Sequence, residues 1–236
     1  MALSEPAHFD RFALGYDVAL NQGLAISGED KLFFARGRIA WLASCLKKLG
    51  VAPASVIDYG CGTGSSIPLL YELLPVRSAV GLDVSPQSLE VARRQYQSLG
   101  AQFFRCEDYP GNKPVDLVFC NGVFHHIPLD QRAEAVGAIF TMLRPGGLFA
   151  FWENNPFNPG TRYVMSKIPF DRDAITLTAG EARGLLHHAG LNIVRTDYCF
   201  IFPKMLKAFR CTERWLTKLP LGAQYQVLCR KPSSHE

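Results

Sequence analysis

SVIDYGCGTGSS, residues 55–66, puts three glycines, Gly60, Gly62 and Gly64, on alternate positions directly behind a short apolar run. Val56 and Ile57 carry a strand through Asp58 and Tyr59, and helix-like sequence follows the glycines. Glycine accepts positive φ and lets a ligand touch the main chain, while a helix start behind it offers backbone N–H groups. A strand that runs into such a turn reads as a cradle for a nucleotide or cofactor.

Working outward, the chain alternates strand and helix. Helix 67–74 leads to strand 78–82, which ends at Asp83, and Ser85-Pro86 then caps a helix reaching about 98 and closing at Gly100. Strand 102–105 leads to Glu107 and Asp108, and strand 115–120 leads to Asn121 and Gly122. A helix over 130–143, a turn at Pro145-Gly146-Gly147 and strand 148–152 complete the series. Such alternation predicts a parallel sheet with helices on both faces. Upstream, 1–50 reads as helical: Phe9, Phe12, Tyr16 and Leu20 recur at helical spacing, as do apolar residues over 29–49. Downstream come a polar loop (153–160), a helix (178–189), a long strand (191–202), a basic amphipathic helix (204–218) and a last strand (224–230).

The chain of 236 residues suits one α/β domain, and 48% hydrophobic with 19% charged residues is ordinary for a globular core. A net charge of +4 is too weak to argue for nucleic acid. Seven cysteines, odd in number and without a CxxC pair, fit buried thiols in a reducing cytoplasm better than disulfides or a zinc site. The first residues, MALSEPAHFDRFALGYD, lack a basic region and an uninterrupted apolar run, so no signal peptide is expected. No apolar stretch is long enough to span a bilayer.

Glycines alone do not name the ligand. Asp83, at the carboxyl end of the next strand, stands where a carboxylate can accept both hydroxyls of a ribose, although a capping Asp before Ser85-Pro86 is the plain alternative. The dinucleotide fingerprint needs a further glycine where this chain has Ser65. The third and fourth strands also end in polar residues, so four strand ends converge on one crevice.

VIDYGCGTG at 56–64, GLDVSP at 81–86, the acidic pair 107–108, DLVFCNGVFHHI at 116–127 and LRPGG at 143–147 together resemble the class I S-adenosylmethionine-dependent methyltransferases. The likeness covers roughly the middle half of the chain. It implies a Rossmann-like, doubly wound, seven-stranded α/β sheet, mostly parallel with an antiparallel last strand, plus an N-terminal helical lid. The whole of 1–236 is then one domain: lid 1–50, cofactor-binding core 51–152, substrate loop and C-terminal strands 153–236. It implies that Gly60, Gly62 and Gly64, with Asp58 and Cys61 among them, face the methionine part of S-adenosylmethionine, and that Asp83 with Val84 meets the ribose. Asp108, or else Glu107, meets the adenine amine, and Asn121 and Gly122 lie under the sulfonium. The product is S-adenosylhomocysteine. Tyr16-Asp17 is similar to a pair that many small-molecule methyltransferases place over the cofactor, where an aromatic ring adds cation–π attraction; a core tyrosine is the plain alternative.

Methyl transfer from a sulfonium is an in-line displacement in which the protein positions the nucleophile and excludes water, and no metal is required. His125, His126 and Glu153 are candidate bases. Adjacent histidines are not expected to face the same way, and His125 is the one taken as catalytic. Phe12, His126, Trp152 and Asn154 are the expected acceptor contacts, with Phe157 on the same loop. Cys61 reads as a packing residue rather than a nucleophile. The expected function is methylation of an O, N or C nucleophile on a small-molecule acceptor by a cytoplasmic monomer or homodimer. A basic helix over 204–218 can instead serve an RNA or protein substrate or an anionic membrane, though solvated surface is the commoner fate of such a face. A third reading is a non-catalytic cofactor-binding partner protein.

Overall fold

Alternation of side chains, one inward to each face, decides how the central strands are covered. The computed structural model describes residues 20, 22–111, 113–169, 171 and 174–233. Strands β1 (Ser55–Tyr59), β2 (Ser78–Asp83), β3 (Gln102–Arg105), β4 (Val115–Asn121), β5 (Leu143–Asn154), β6 (Asn192–Cys199) and β7 (Gln224–Arg230) form a single sheet in the order β3-β2-β1-β4-β5-β7-β6. β1 to β5 are parallel, and β7 runs antiparallel to both β5 and β6. The expected doubly wound, seven-stranded sheet with its antiparallel last strand is therefore what the chain forms.

On β4, Leu117 and Phe119 turn to one core while Val118 and Cys120 turn to the other. The first core is closed by α1 (Lys31–Lys48), α2 (Ile67–Leu73) and α3 (Pro86–Tyr96), through residues such as Ile39, Leu42, Leu70 and Leu89. The second is closed by α4 (Arg132–Met142) and α6 (Ala179–His188), with α5 (Pro159–Lys167) preceding α6 in the chain. Strands buried on both faces in this way read as near-continuous apolar runs. The caps are local chemistry: Asp30 accepts from Phe33 N at the start of α1, Ser85 from Ser88 N ahead of Pro86, and Thr178 and Glu181 form a capping box on α6.

Residues 31–48 of the expected lid pack on the sheet as α1, and only the start of that helix reaches the crevice; 1–19 lie outside the described residues. Pro145-Gly146-Gly147 is not a turn between helix and strand. It lies within β5 as an irregularity in the pairing with β4, and Gly146 N donates to Lys231 O while Lys231 N donates to Gly147 O. The expected basic helix is also broken. It is a 3₁₀ segment, Lys204–Thr212, kinked at Leu206, followed by one short turn, α7 (Glu213–Leu216). Side chains explain the break: Arg210 folds back to Phe202 O and Glu29, and Glu213 accepts from Phe202 N. Lys218 meanwhile pairs with buried Asp197, so the cations do not form one solvated stripe.

Candidate active site

The strand order reverses between β1 and β4, and there Tyr59 lies opposite Cys120, so the glycine turn and Asn121-Gly122 stand side by side at the carboxyl edge. Gly60 (φ 75°) has no room for a side chain: a Cβ would meet Val123 Cγ2 at 2.2 Å. Gly62 (φ 52°) differs, since nothing lies within 4 Å of its missing Cβ, which leaves main chain open to a ligand. Gly62 N donates to Asp83 Oδ2 (2.8 Å) and Ser85 N to Asp83 Oδ1 (2.9 Å), so the carboxylate at the end of β2 also braces the loop. Gly64 and Cys61 complete the turn; the Cys61 thiol is buried, and desolvation pushes its pKa well up, as befits a packing residue.

Two buried acceptors accompany this loop. Asp58 Oδ2 and Asn121 Oδ1 have no hydrogen-bond partner among the described residues. Burial first, and then the charge of Asp83, raise the Asp58 carboxyl to about 7. Beyond β3, Glu107 and Asp108 are exposed, and Glu107 is paired with Arg105. Val84 packs at the margin of the second core.

A cavity of about 350 Å³ opens beside Asn121 and Gly122. Leu24, Phe33, Phe34, Val164, Ile168 and Phe200 give it an apolar wall. Arg38 of α1 donates to Gln224 Oε1 (2.9 Å), and Gln224 Nε2 donates to Asn154 Oδ1 (3.0 Å), which makes a polar strip along one side. The other pole is the pair His125 and His126, on a 3₁₀ turn after β4, together with Asp171 from the loop after α5.

This pole is densely tied. Glu153, at the end of β5 and 1% exposed, accepts from Phe124 N (2.8 Å) and Asn154 N (3.2 Å) and lies 2.6 Å from His125 Nδ1. Asp171 Oδ1 lies 3.5 Å from His125 Nε2 and 3.3 Å from His126 Nε2. Arg132 fixes the loop from below, donating to Ile127 O and Ile175 O, while Ile175 N donates to His125 O. Burial alone would lower the His125 pKa, but Glu153 and Asp171 together raise it to about 10. Burial and the neighbouring His125 lower that of His126. Asp171 is held down to about 2: burial works against it, and the two imidazoles prevail.

Two expectations change here. Both histidines face the cavity, because a tight 3₁₀ turn sets consecutive rings only 4.1 Å apart where an extended strand would send them to opposite sides. His125, expected as the base, has both ring nitrogens facing carboxylates, which favour its protonated form; the second change concerns Trp152. Trp152, expected on the acceptor wall, is fully buried against the α1 side of the sheet; odd-numbered Glu153 takes the other face. Phe157 is exposed on the outer surface and Asn154 does line the cavity. Phe12 and Tyr16 lie outside the described residues. Asp171, Arg38 and Gln224 went unread in the sequence. Arg38 carried a signal, a cation within the apolar stripe of Ala35, Ile39 and Leu42. Asp171 carried none, being one polar residue of an irregular loop.

The chain is similar to known proteins. The family described as "Methyltransferase domain" matches residues 57–149. Malonyl-[acyl-carrier protein] O-methyltransferase of Halalkalibacterium halodurans is 31% identical over 198 residues, 75% of this chain and 69% of that protein. Trans-aconitate 2-methyltransferase of Methylobacterium radiotolerans is 33% identical over 99 residues, 42% of this chain and 37% of that one. This chain likewise spans less than half of two further trans-aconitate 2-methyltransferases. Among solved structures, a S-adenosylmethionine-dependent methyltransferase of Thermotoga maritima superposes with a TM-score of 0.66 at 18% identity, covering 96% of this chain and 100% of that one. A glycine turn at the reversal of this strand order, matched over two thirds of a relative's length, places the chain among the class I S-adenosylmethionine-dependent methyltransferases.

Proposed function

We propose that the chain transfers a methyl group from S-adenosylmethionine to an O, N or C nucleophile of a small-molecule acceptor held in the 350 Å³ cavity. The observation that carries this is the cavity's position: it opens on Asn121 and Gly122, next to the glycine turn, so an acceptor inside it faces whatever that turn holds. The residues present fit the cofactor. Gly62 offers open main chain, and Asp58 Oδ2 and Asn121 Oδ1 are buried acceptors that an amino group can satisfy. Gly60, Gly62 and Gly64 would take the methionine part, Asp83 the ribose hydroxyls, and Asp108 the adenine amine, since Glu107 is committed to Arg105. When bound, the cofactor supplies a methyl already activated by its sulfonium.

The chain's own work is positional. The apolar wall of Phe33, Phe34 and Phe200 excludes water, the Arg38–Gln224–Asn154 strip orients polar groups, and the histidine pole meets the nucleophile. Relatives named for trans-aconitate and malonyl-[acyl-carrier protein] support an acceptor of metabolite size or one borne on a carrier. Calorimetry with S-adenosylmethionine and with NAD tests the donor, and tighter binding of NAD would overturn the proposal. Label from methyl-tritiated cofactor incorporated into a metabolite extract tests turnover; binding without transfer would favour the non-catalytic reading.

A further inference from the structure

The polar pole of the cavity has the dimensions of a metal centre. A divalent ion held by nitrogen and oxygen at about 2.0–2.2 Å sets its ligands about 3.0–3.6 Å apart. Asp171 Oδ1 lies 3.5 Å from His125 Nε2 and 3.3 Å from His126 Nε2, and one donor atom from each of the three residues falls within 4.8 Å of the others. Two imidazoles and one carboxylate, grouped on one side with the other side open, are the donor set that suits first-row divalent metals.

Three further features fit. Glu153 lies 2.6 Å from His125 Nδ1, which leaves Nε2 as the nitrogen facing Asp171, where an ion would displace the proton that the metal-free ring holds; a carboxylate behind a histidine is how metal-binding imidazoles are commonly oriented. Glu153 is fixed in turn by main-chain N–H groups of Phe124 and Asn154, and Arg132 pins the loop bearing Asp171, so the three donors are held by the scaffold. All three line the cavity, so an ion among them would keep coordination positions facing the acceptor.

We propose that His125 Nε2, His126 Nε2 and the Asp171 carboxylate bind one first-row divalent metal ion, whose open positions take an oxygen donor of the acceptor. The ion itself does not depend on the methyl-transfer reading, whereas its role toward the acceptor rests on it. The site favours acceptors bearing a carboxylate, which such an ion binds directly, or a phenol, whose pKa the bound ion lowers so that its proton leaves to water.

Untagged protein, stripped with chelator, is titrated with Co²⁺ while its visible absorption is followed. Saturable bands reaching completion at one equivalent, and displaced by Zn²⁺, are expected. Asp171→Asn and His126→Ala should each weaken Co²⁺ binding at least tenfold, whereas His187→Ala/His188→Ala, on the exposed end of α6, should leave it unchanged. Zinc K-edge absorption of the wild-type protein gives a reading that needs no variant: nitrogen and oxygen scatterers with imidazole features and no sulfur. Absence of saturable bands, a sulfur ligand, or equal affinity in both pole variants overturns the proposal. S-adenosylmethionine binding is measured on the same samples. Cobalt bound without the cofactor refutes methyl transfer and leaves the ion standing, and cofactor bound without cobalt does the reverse.

Discussion

Asp58, proposed above to meet the cofactor, is a cost to the empty protein. Its carboxyl is buried, is raised to about 7 by desolvation and by Asp83, and keeps one oxygen without a partner among the described residues. Because the folded-state pKa lies above the ordinary aspartate value of 3.8, the protonated carboxyl supports the fold below about pH 4, and that contribution is lost as the pH rises through about 7. The gap bounds the effect at about 4 kcal/mol. Urea titrations of the cofactor-free protein between pH 4 and 8 should show stability falling along this range, and Asp58→Asn should flatten the profile. The glycines supply a second contrast. Gly62→Ala puts a side chain into open space at positive φ, costing roughly 1–2 kcal/mol of stability while abolishing cofactor binding by calorimetry. Gly60→Ala drives a Cβ into Val123 and should cost about 3 kcal/mol, read in the same denaturation series. At this scale the placement of the loop, Asp83 and Asn121 at neighbouring strand ends was legible, because strand and turn signals in the sequence fix it. Asp171 and Arg38 were not, because their roles come from where tertiary packing carries them.

Among the elements, those with sharp punctuation were readable and those shaped by side-chain tethers were not. Ser85-Pro86 marks the start of α3 and Gly100 (φ 79°) closes the 3₁₀ turn after it, as the sequence foretells. The 204–218 stretch has helical periodicity, yet Arg210 and Glu213 are drawn inward to Glu29 and to the main chain of Phe202, and the helix breaks. Likewise β5 extends back through Pro145-Gly146-Gly147 because Lys231, directly after β7, offers main-chain partners from a distant part of the chain. Capping, by contrast, is local and separable. Thr178 and Glu181 bond reciprocally at the start of α6, so Thr178→Ala should lower stability by about 1 kcal/mol in urea. Adding Glu181→Ala should cost less than the sum of the two single changes, since each change removes part of the same box.

At the level of the whole molecule, the alternation of strands and helices was enough to foretell the sheet, because short right-handed crossovers leave few arrangements for such a chain. What it could not foretell is which strand-end loops fold over the crevice, since that depends on contacts such as Arg132 with Ile175. The crevice lies between parts contributed by β1, β4, β5 and the loop after α5, so a ligand there joins segments far apart in sequence. S-adenosylmethionine at a hundredfold excess over its dissociation constant should therefore raise global stability by about 2.7 kcal/mol, seen as an upward shift in scanning calorimetry. The distribution of thiols gives that opening its own clock. Of the seven cysteines, Cys45, Cys61, Cys106, Cys120, Cys199 and Cys229 are buried and Cys211 is exposed. A chromogenic disulfide reagent should modify Cys211 at once and the other six only as the sheet comes apart. The slow phase then times unfolding without any introduced label, and the fast one marks a single attachment point on the 3₁₀ segment whose Arg210 lines the cavity.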